Sequence, residues 1–259
     1  MSRILESLKP ERVFYYFEEI CNIPHGSGNT KQISDYCVTF AKERNLEVIQ
    51  DSFNNVIIKK AATSGCEDKP VVMLQGHLDM VTERASWSEH NFETDPLELY
   101  IEGDYVSAKG TTLGGDDGIA VAYMLAILED NTLIHPALEC VFTVDEETGL
   151  TGAKEIDLSG CKAEYLINLD SEEEGIFLAS CAGGVRLNLT LPLHRMTMTG
   201  NCMHITIDGL KGGHSGAEIH KNRCNANMLM GRLLFDLKDS GLVDYTFVSM
   251  EGGQKDNAI

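Results

Sequence analysis

The strongest candidate for chemistry is a histidine and an aspartate in an apolar segment. The segment VVMLQGHLDMV, at 71–81, is rich in β-branched and other apolar residues and carries His77 and Asp79 two positions apart. On an extended backbone, side chains two positions apart leave the same face of a strand. A buried strand can present a metal ligand in this way, although a lone histidine there is more often a core residue hydrogen-bonded to a carbonyl.

Carboxylates follow two further apolar segments. Glu146 and Glu147 come after the segment 137–144, and Asp170 comes after 165–169. Taken singly, each carboxylate could be ordinary surface charge at a strand end. In an open α/β sheet, however, ligands gather at the carboxyl ends of strands, so residues far apart in the sequence can converge. One imidazole with several carboxylates and no sulfur suits a pair of divalent ions, zinc first, with manganese or cobalt as alternatives.

A glycine-rich turn supplies another carboxylate. The segment KGTTLGGDDG, at 109–118, precedes an almost wholly apolar helix that we predict over 119–128. Its glycines let the backbone approach a neighbour closely and place Asp116 and Asp117 at the helix N-terminus. One aspartate would be enough for an N-cap, so we expect Asp116 to join the metal ligands. The glycine order matches neither a dinucleotide-binding motif nor a P-loop.

The elements that position these residues alternate between helices and strands. Apolar periodicity predicts a helix after Pro10 and a second helix over 30–44. It also predicts strands over 46–50 and 56–60 and a hairpin over 97–108. His25 lies in the loop between the two helices, where a structural or a substrate-proximal role is open.

Composition excludes several classes of protein. The 259 residues carry a formal net charge of -19, which argues against nucleic acid or an anionic membrane as a partner. No apolar run reaches the roughly 18–20 residues of a membrane helix, and the first residues lack a signal peptide's apolar region. The eight cysteines are scattered without a C-x-x-C pair, as reduced core cysteines are. We therefore expect a cytoplasmic protein.

The motifs together resemble those of a known family. GHLDMV, TTLGGDDG, DEETG and NLDSEEEG, followed by CAGG and GLKGGHSG, are similar to the aminoacyl-histidine dipeptidases. These Xaa-His or carnosinase-like dipeptidases are a branch of the dinuclear zinc aminoacylase and carboxypeptidase superfamily. The resemblance implies metal-dependent hydrolysis of small peptides such as β-Ala-His. A related aminoacylase or tripeptidase with the same site is an alternative.

The resemblance also implies a role for each matching residue. His77 and Asp170 would bind one metal ion and Glu147 the other, with Asp116 bridging the two.

The same resemblance assigns four further roles. Asp79 would orient the His77 imidazole, and Glu146 would be the general base that takes a proton from the attacking water. His214, in the segment GGHSG, would stabilise the oxyanion, and Asn225 would contact substrate.

The fold implied by the resemblance is an α/β catalytic domain, with a central mixed sheet flanked by helices, and an inserted α+β lid domain. We expect the N-terminal part of the catalytic domain over 1–191 and a partial lid over 192–259, with dimerisation through the lid. Further strands are predicted over 176–181, 185–191, 202–210 and 244–250, and a lid helix over 221–238.

Members of that family are longer than this chain. We expect the chain to stop inside the lid, leaving out a second histidine ligand and making one metal site incomplete. An alternative is therefore a non-catalytic fragment that binds at most one metal ion.

Overall fold

The computed structural model describes residues 3–171, 174–180, 187–212 and 219–252. The chain divides into two units, Met1–Cys181 and Ala182–Ile259. The assignment of 1–191 to a catalytic domain and of 192–259 to a lid remains a prediction. The helices and strands of the first unit are α1 (Glu11–Cys21), α2 (Lys31–Glu43), β1 (Glu47–Gln50), β2 (Val56–Lys60), β3 (Val72–His77), β4 (Leu99–Glu102), β5 (Tyr105–Ala108), α3 (Gly115–Glu129), β6 (Leu138–Thr143), α4 (Thr151–Glu155) and β7 (Tyr165–Asn168).

Five strands form a mixed sheet in the order β1-β2-β6-β3-β7, while β4 and β5 form the predicted hairpin. The β1–β2 and β2–β6 pairs are antiparallel, whereas β3 is parallel to both β6 and β7. The carboxyl ends of β3, β6 and β7 therefore lie at one edge of the sheet, where His77 stands opposite Thr143. The predicted α/β fold with a central mixed sheet is confirmed.

Apolar clusters cover both faces of the sheet, which explains why its central strands contain runs of consecutive hydrophobic residues and not a strict apolar–polar alternation. Ile58 and Phe142 face the larger core, and their neighbours Ile57 and Val141 face a smaller cluster on the other side. Helix α3 packs against both β3 and α1. Because it is covered on several sides, α3 is apolar around most of its circumference, and its fixed position places its N-terminus beside the end of β3.

In the second unit, the described elements are a 3₁₀ turn at Ile219–Lys221 and α5 (Ala226–Asp239). The predicted helix is present and begins at 226. The strands predicted over 202–210 and 244–250 are wrong, as are those over the described parts of 176–181 and 185–191, because none of these residues is in a strand. Most of them are exposed, and an extended segment without a neighbouring strand has no ladder to join.

Across the described ranges, no helix combines the length and the apolar character that crossing a bilayer requires.

Candidate metal centre

His77 is the fixed centre of the candidate site. It is the last residue of β3 and its side chain is 1% exposed. Its Nδ1 atom lies 2.9 Å from the main-chain oxygen of Asp79, and its Nε2 atom lies 3.0 Å from Oδ1 of Asp116. Its backbone N–H donates to Oδ2 of Asp117 at 3.0 Å. Contacts on both ring nitrogens and on the backbone leave the imidazole little freedom.

Two groups of possible metal ligands share this imidazole. His77, Asp116 and Asp170 form the first group, and His77, Glu146 and Glu147 form the second; within each group the ligand atoms lie within 4.8 Å of one another. The ends of β3, β6 and β7 and the start of α3 supply these residues. The structure thus brings together all the predicted metal ligands and the predicted base, as the parallel strand ends require.

Taken together, the residues of the two ligand groups carry an excess of negative charge. Burial raises the pKa of Glu147 to about 7, and the nearby Asp116 carboxylate adds to this. Burial also raises the pKa of Glu146. Burial alone would lower the pKa of His77, but hydrogen bonds to Asp116 and Asp79 outweigh it and raise the pKa to about 11. Carboxylates that are difficult to ionise together gain from a cation placed between them.

Asp79 is 1% exposed and lies directly beside His77. Its Oδ1 atom is 3.4 Å from His77 Nδ1, so the Asp79 carbonyl, at 2.9 Å, is the nearer contact of that nitrogen. Burial favours the neutral acid, but hydrogen bonds from His77 and Ser27 more than offset this and lower the pKa of Asp79. The residue therefore faces the imidazole with its backbone as well as with its side chain.

Asp117 is a site residue whose role the sequence did not reveal. It is 2% exposed and accepts the backbone N–H of His77, and burial raises its pKa to about 7. A Cβ atom at Gly76 would lie 2.7 Å from its Oδ2 atom, so the glycine makes room for this contact. The adjacent aspartates and the glycine before the histidine were visible in the sequence, but the hydrogen bond between the His77 backbone and Asp117 joins residues 40 positions apart.

Two more site residues were predicted, His214 and Asn225, and the role of His25 was open between a structural and a substrate-proximal one. His214 lies outside the described residues. Asn225 lies in the second unit, where its side chain caps α5 by accepting the Met228 N–H at 3.0 Å. His25 is 3% exposed, and its Nδ1 atom lies 2.6 Å from the Ile23 oxygen.

Solved structures share this architecture. A tripeptidase from Staphylococcus aureus matches with a TM-score of 0.53 and 24% identity, covering 63% of this chain and 44% of its own, which shows the fold alone. The aminoacylhistidine dipeptidase from Vibrio alginolyticus matches with a TM-score of 0.66 and 36% identity, covering 100% of this chain and 52% of its own.

A relative found by sequence comparison is also a dipeptidase by name. The cytosol non-specific dipeptidase of Escherichia coli is 41% identical over 257 residues, which are 98% of this chain and 53% of the relative. No family model matches the chain. The predicted resemblance to the aminoacyl-histidine dipeptidases is confirmed over nearly the whole chain. The chain spans about half the length of these two relatives.

Proposed function

We propose that the chain carries the metal-binding part of a dipeptidase that hydrolyses Xaa-His and similar dipeptides. The observation that carries the proposal is the sharing of His77 by two acidic ligand groups, each within 4.8 Å, at one edge of the sheet. The E. coli and V. alginolyticus relatives are dipeptidases by name. That support extends to the half of their length that this chain matches.

The donor set fits divalent metal ions. One buried imidazole nitrogen and several carboxylate oxygens are ligands that zinc accepts, and manganese or cobalt would also accept them. His77, Asp116 and Asp170 would hold one ion, and Glu147 would hold the other, with Asp116 shared between them. The raised pKa of Glu147 supports this assignment, because a cation would compensate the charge that burial makes costly.

When bound, the ions would polarise the scissile carbonyl and make a water molecule more acidic. Glu146 would accept the proton of the attacking water and pass it to the leaving amine. Its half-buried carboxylate has a raised pKa, so it can hold a proton between the two transfers. Asp79 and Asp117 would keep the His77 ring in place through its Nδ1 atom and its backbone N–H.

A second candidate function is a chain that binds at most one metal ion and is not itself catalytic. In the described part of the chain, His77 is the imidazole in both ligand groups, so two ions would compete for one nitrogen donor. The number of ions bound separates the candidates: two tightly bound ions support the dipeptidase, and one supports the non-catalytic chain.

Hydrolysis tests the proposed activity directly. The full chain, loaded with zinc or manganese, is assayed for release of histidine from β-Ala-His and Gly-His, with a tripeptide and an N-acyl amino acid as substrate controls. We expect Glu146→Gln to lose about 10²–10⁴-fold in kcat while still binding metal. Glu155→Gln, at an exposed glutamate in α4, is the matched control and should behave like the wild type. A Glu146→Gln protein that hydrolyses these peptides as fast as an active wild type would refute Glu146 as the base. A metal-loaded wild type that releases no histidine would instead favour the non-catalytic chain.

Location and assembly are part of the same proposal. We propose that the protein works in the cytosol, where the name of the E. coli relative places that protein, and that it forms a homodimer through the lid predicted over 192–259. Light scattering coupled to gel filtration tests the dimer: a monomeric mass at micromolar concentration would contradict it.

A further inference from the structure

The buried carboxylate of Asp79 connects three separate segments of the site. Its Oδ1 atom accepts the backbone N–H of Glu146 at 3.1 Å and lies 3.4 Å from His77 Nδ1. Its Oδ2 atom accepts the hydroxyl of Ser27 at 2.7 Å and faces the backbone N–H of Glu147 at 3.4 Å. The orientation of one carboxylate therefore bears on the proposed ligand at the end of β3 and on both glutamates after β6.

The loop that contains Ser27, residues 25–28, is hydrogen-bonded both to the segment after β3 and to the segment after β6. Ser27 donates its backbone N–H to the Met80 carbonyl at 3.3 Å, and the His25 carbonyl accepts the Met80 N–H at 3.2 Å. The Gly28 N–H donates to Oδ1 of Asp145 at 2.7 Å. The loop thus holds the chain just after β3 and the chain just after β6, and the Ser27 hydroxyl lies between these two attachments.

Of the contacts to the Asp79 carboxylate, the one from Ser27 is the shortest. At 3.4 Å, the Glu147 N–H is too distant to fix Oδ2 without help. If the hydroxyl were removed, the carboxylate could rotate about its χ2 bond, which is a broad torsion. That rotation would draw Oδ1 away from the Glu146 N–H and from the imidazole together.

We propose that Ser27 is a positioning residue of the metal centre: through Asp79, its hydroxyl sets where the backbone of Glu146 and Glu147 stands relative to His77. The inference rests on the proposed function, since it assumes that these residues hold metal and activate water. Groups that orient metal ligands from outside the coordination shell commonly contribute about 10–100-fold to metal affinity or activity.

Variants at one position separate positioning from simple loop stability. Ser27→Ala removes the hydroxyl, Ser27→Thr keeps it, and Ser27→Val has nearly the shape of the threonine without the hydroxyl. Ser34→Ala is the matched control, because its hydroxyl also makes a 2.7 Å hydrogen bond, to the Asn54 carbonyl, and contacts none of the proposed ligands.

The measurement is the dissociation constant for Zn²⁺ alone, by calorimetry on the metal-free full chain, with the folded fraction checked by circular dichroism. We expect Ser27→Ala and Ser27→Val to bind zinc about 10-fold more weakly, and Ser27→Thr and Ser34→Ala to bind as the wild type does. If the alanine variant does not fold, the threonine and valine variants alone decide the question.

Two results would overturn the inference by itself: wild-type affinity in Ser27→Ala or Ser27→Val, or a Ser27→Thr protein as weak as Ser27→Val. A wild-type chain that binds no zinc would instead overturn the proposed function, and the inference would fall with it. Activity on β-Ala-His gives an independent readout, in which the hydroxyl-free variants should lose kcat with little change in KM.

Discussion

Adding one methyl group at Gly76 should disturb the site from inside the sheet. Gly76 precedes His77 in β3, and a Cβ atom there would lie 2.7 Å from Oδ2 of Asp117 and 3.0 Å from Cβ of Ala120. The distance to Asp117 is far inside van der Waals contact. Ala120 belongs to α3, which also packs against α1 and so has little room to move away. Gly76→Ala must therefore move Asp117, α3 or the strand.

The size of the effect follows from two costs. Overpacking of a tight core costs about 1–3 kcal/mol. Displacing Asp117 breaks its hydrogen bond with the His77 N–H and leaves both of these buried groups unsatisfied, which adds about 1–3 kcal/mol. We expect a combined loss of about 2–6 kcal/mol, which lowers the melting temperature of a unit of this size by roughly 4–24 °C.

Urea and thermal unfolding followed by circular dichroism measure this loss, and a zinc titration measures the effect on the site. Gly160→Ala is the matched control, since a Cβ atom at Gly160 would meet no atom within 4 Å. We expect the control to unfold like the wild type and Gly76→Ala to bind zinc more weakly as well. A Gly76→Ala protein with wild-type stability and zinc affinity would refute the packing of Asp117 against β3.

Two further predictions concern stability without metal. Asn55→Ala should lower the free energy of unfolding in urea by about 1–3 kcal/mol, because the buried side chain donates to the Gly152 carbonyl and supports the turn after β6; an unchanged urea midpoint would contradict this. Raising the pH from 5 to 8 should lower the melting temperature of the metal-free chain. The pKa values of Glu147 and Asp117 are raised to about 7 in the folded chain, so the folded state binds more protons than the unfolded state below pH 7 and loses this advantage as the pH rises. The pKa of His77 is raised to about 11, so the stabilisation from its protonated ring is lost progressively as the pH rises above the unfolded value of 6.5. Zinc should restore the melting temperature at pH 8. A metal-free chain that is more stable at pH 8 than at pH 5 would contradict the raised pKa values of these three residues.

The sequence could predict the strands that carry the candidate site because their pattern is local. An apolar run that ends in His77 or just before Glu146 marks both a buried strand and its functional end. The rule that ligands gather at the carboxyl ends of parallel strands then suffices to bring the residues together. The two ligand groups around His77 are the geometric result of that rule.

The supporting contacts could not be predicted because they depend on the tertiary fold. Ser27 meets Asp79 across 52 positions, and Asp117 meets the His77 backbone across 40. In the sequence, Ser27 is one serine in a Gly-containing loop and Asp117 is a plausible helix cap. The strand predictions beyond β7 failed for a related reason, since apolar residues there favour a strand only where a neighbouring strand exists to pair with them.

The most direct test of the metal centre is the amount of zinc that the chain retains after extensive dialysis, measured for the wild type and for His77→Gln. His77 belongs to both ligand groups, so its loss should affect every ion held there. We predict that the wild type retains at least about one zinc ion per chain and that the folded variant retains almost none. Equal retention by the two proteins, or none by the wild type, would contradict a metal centre built around His77.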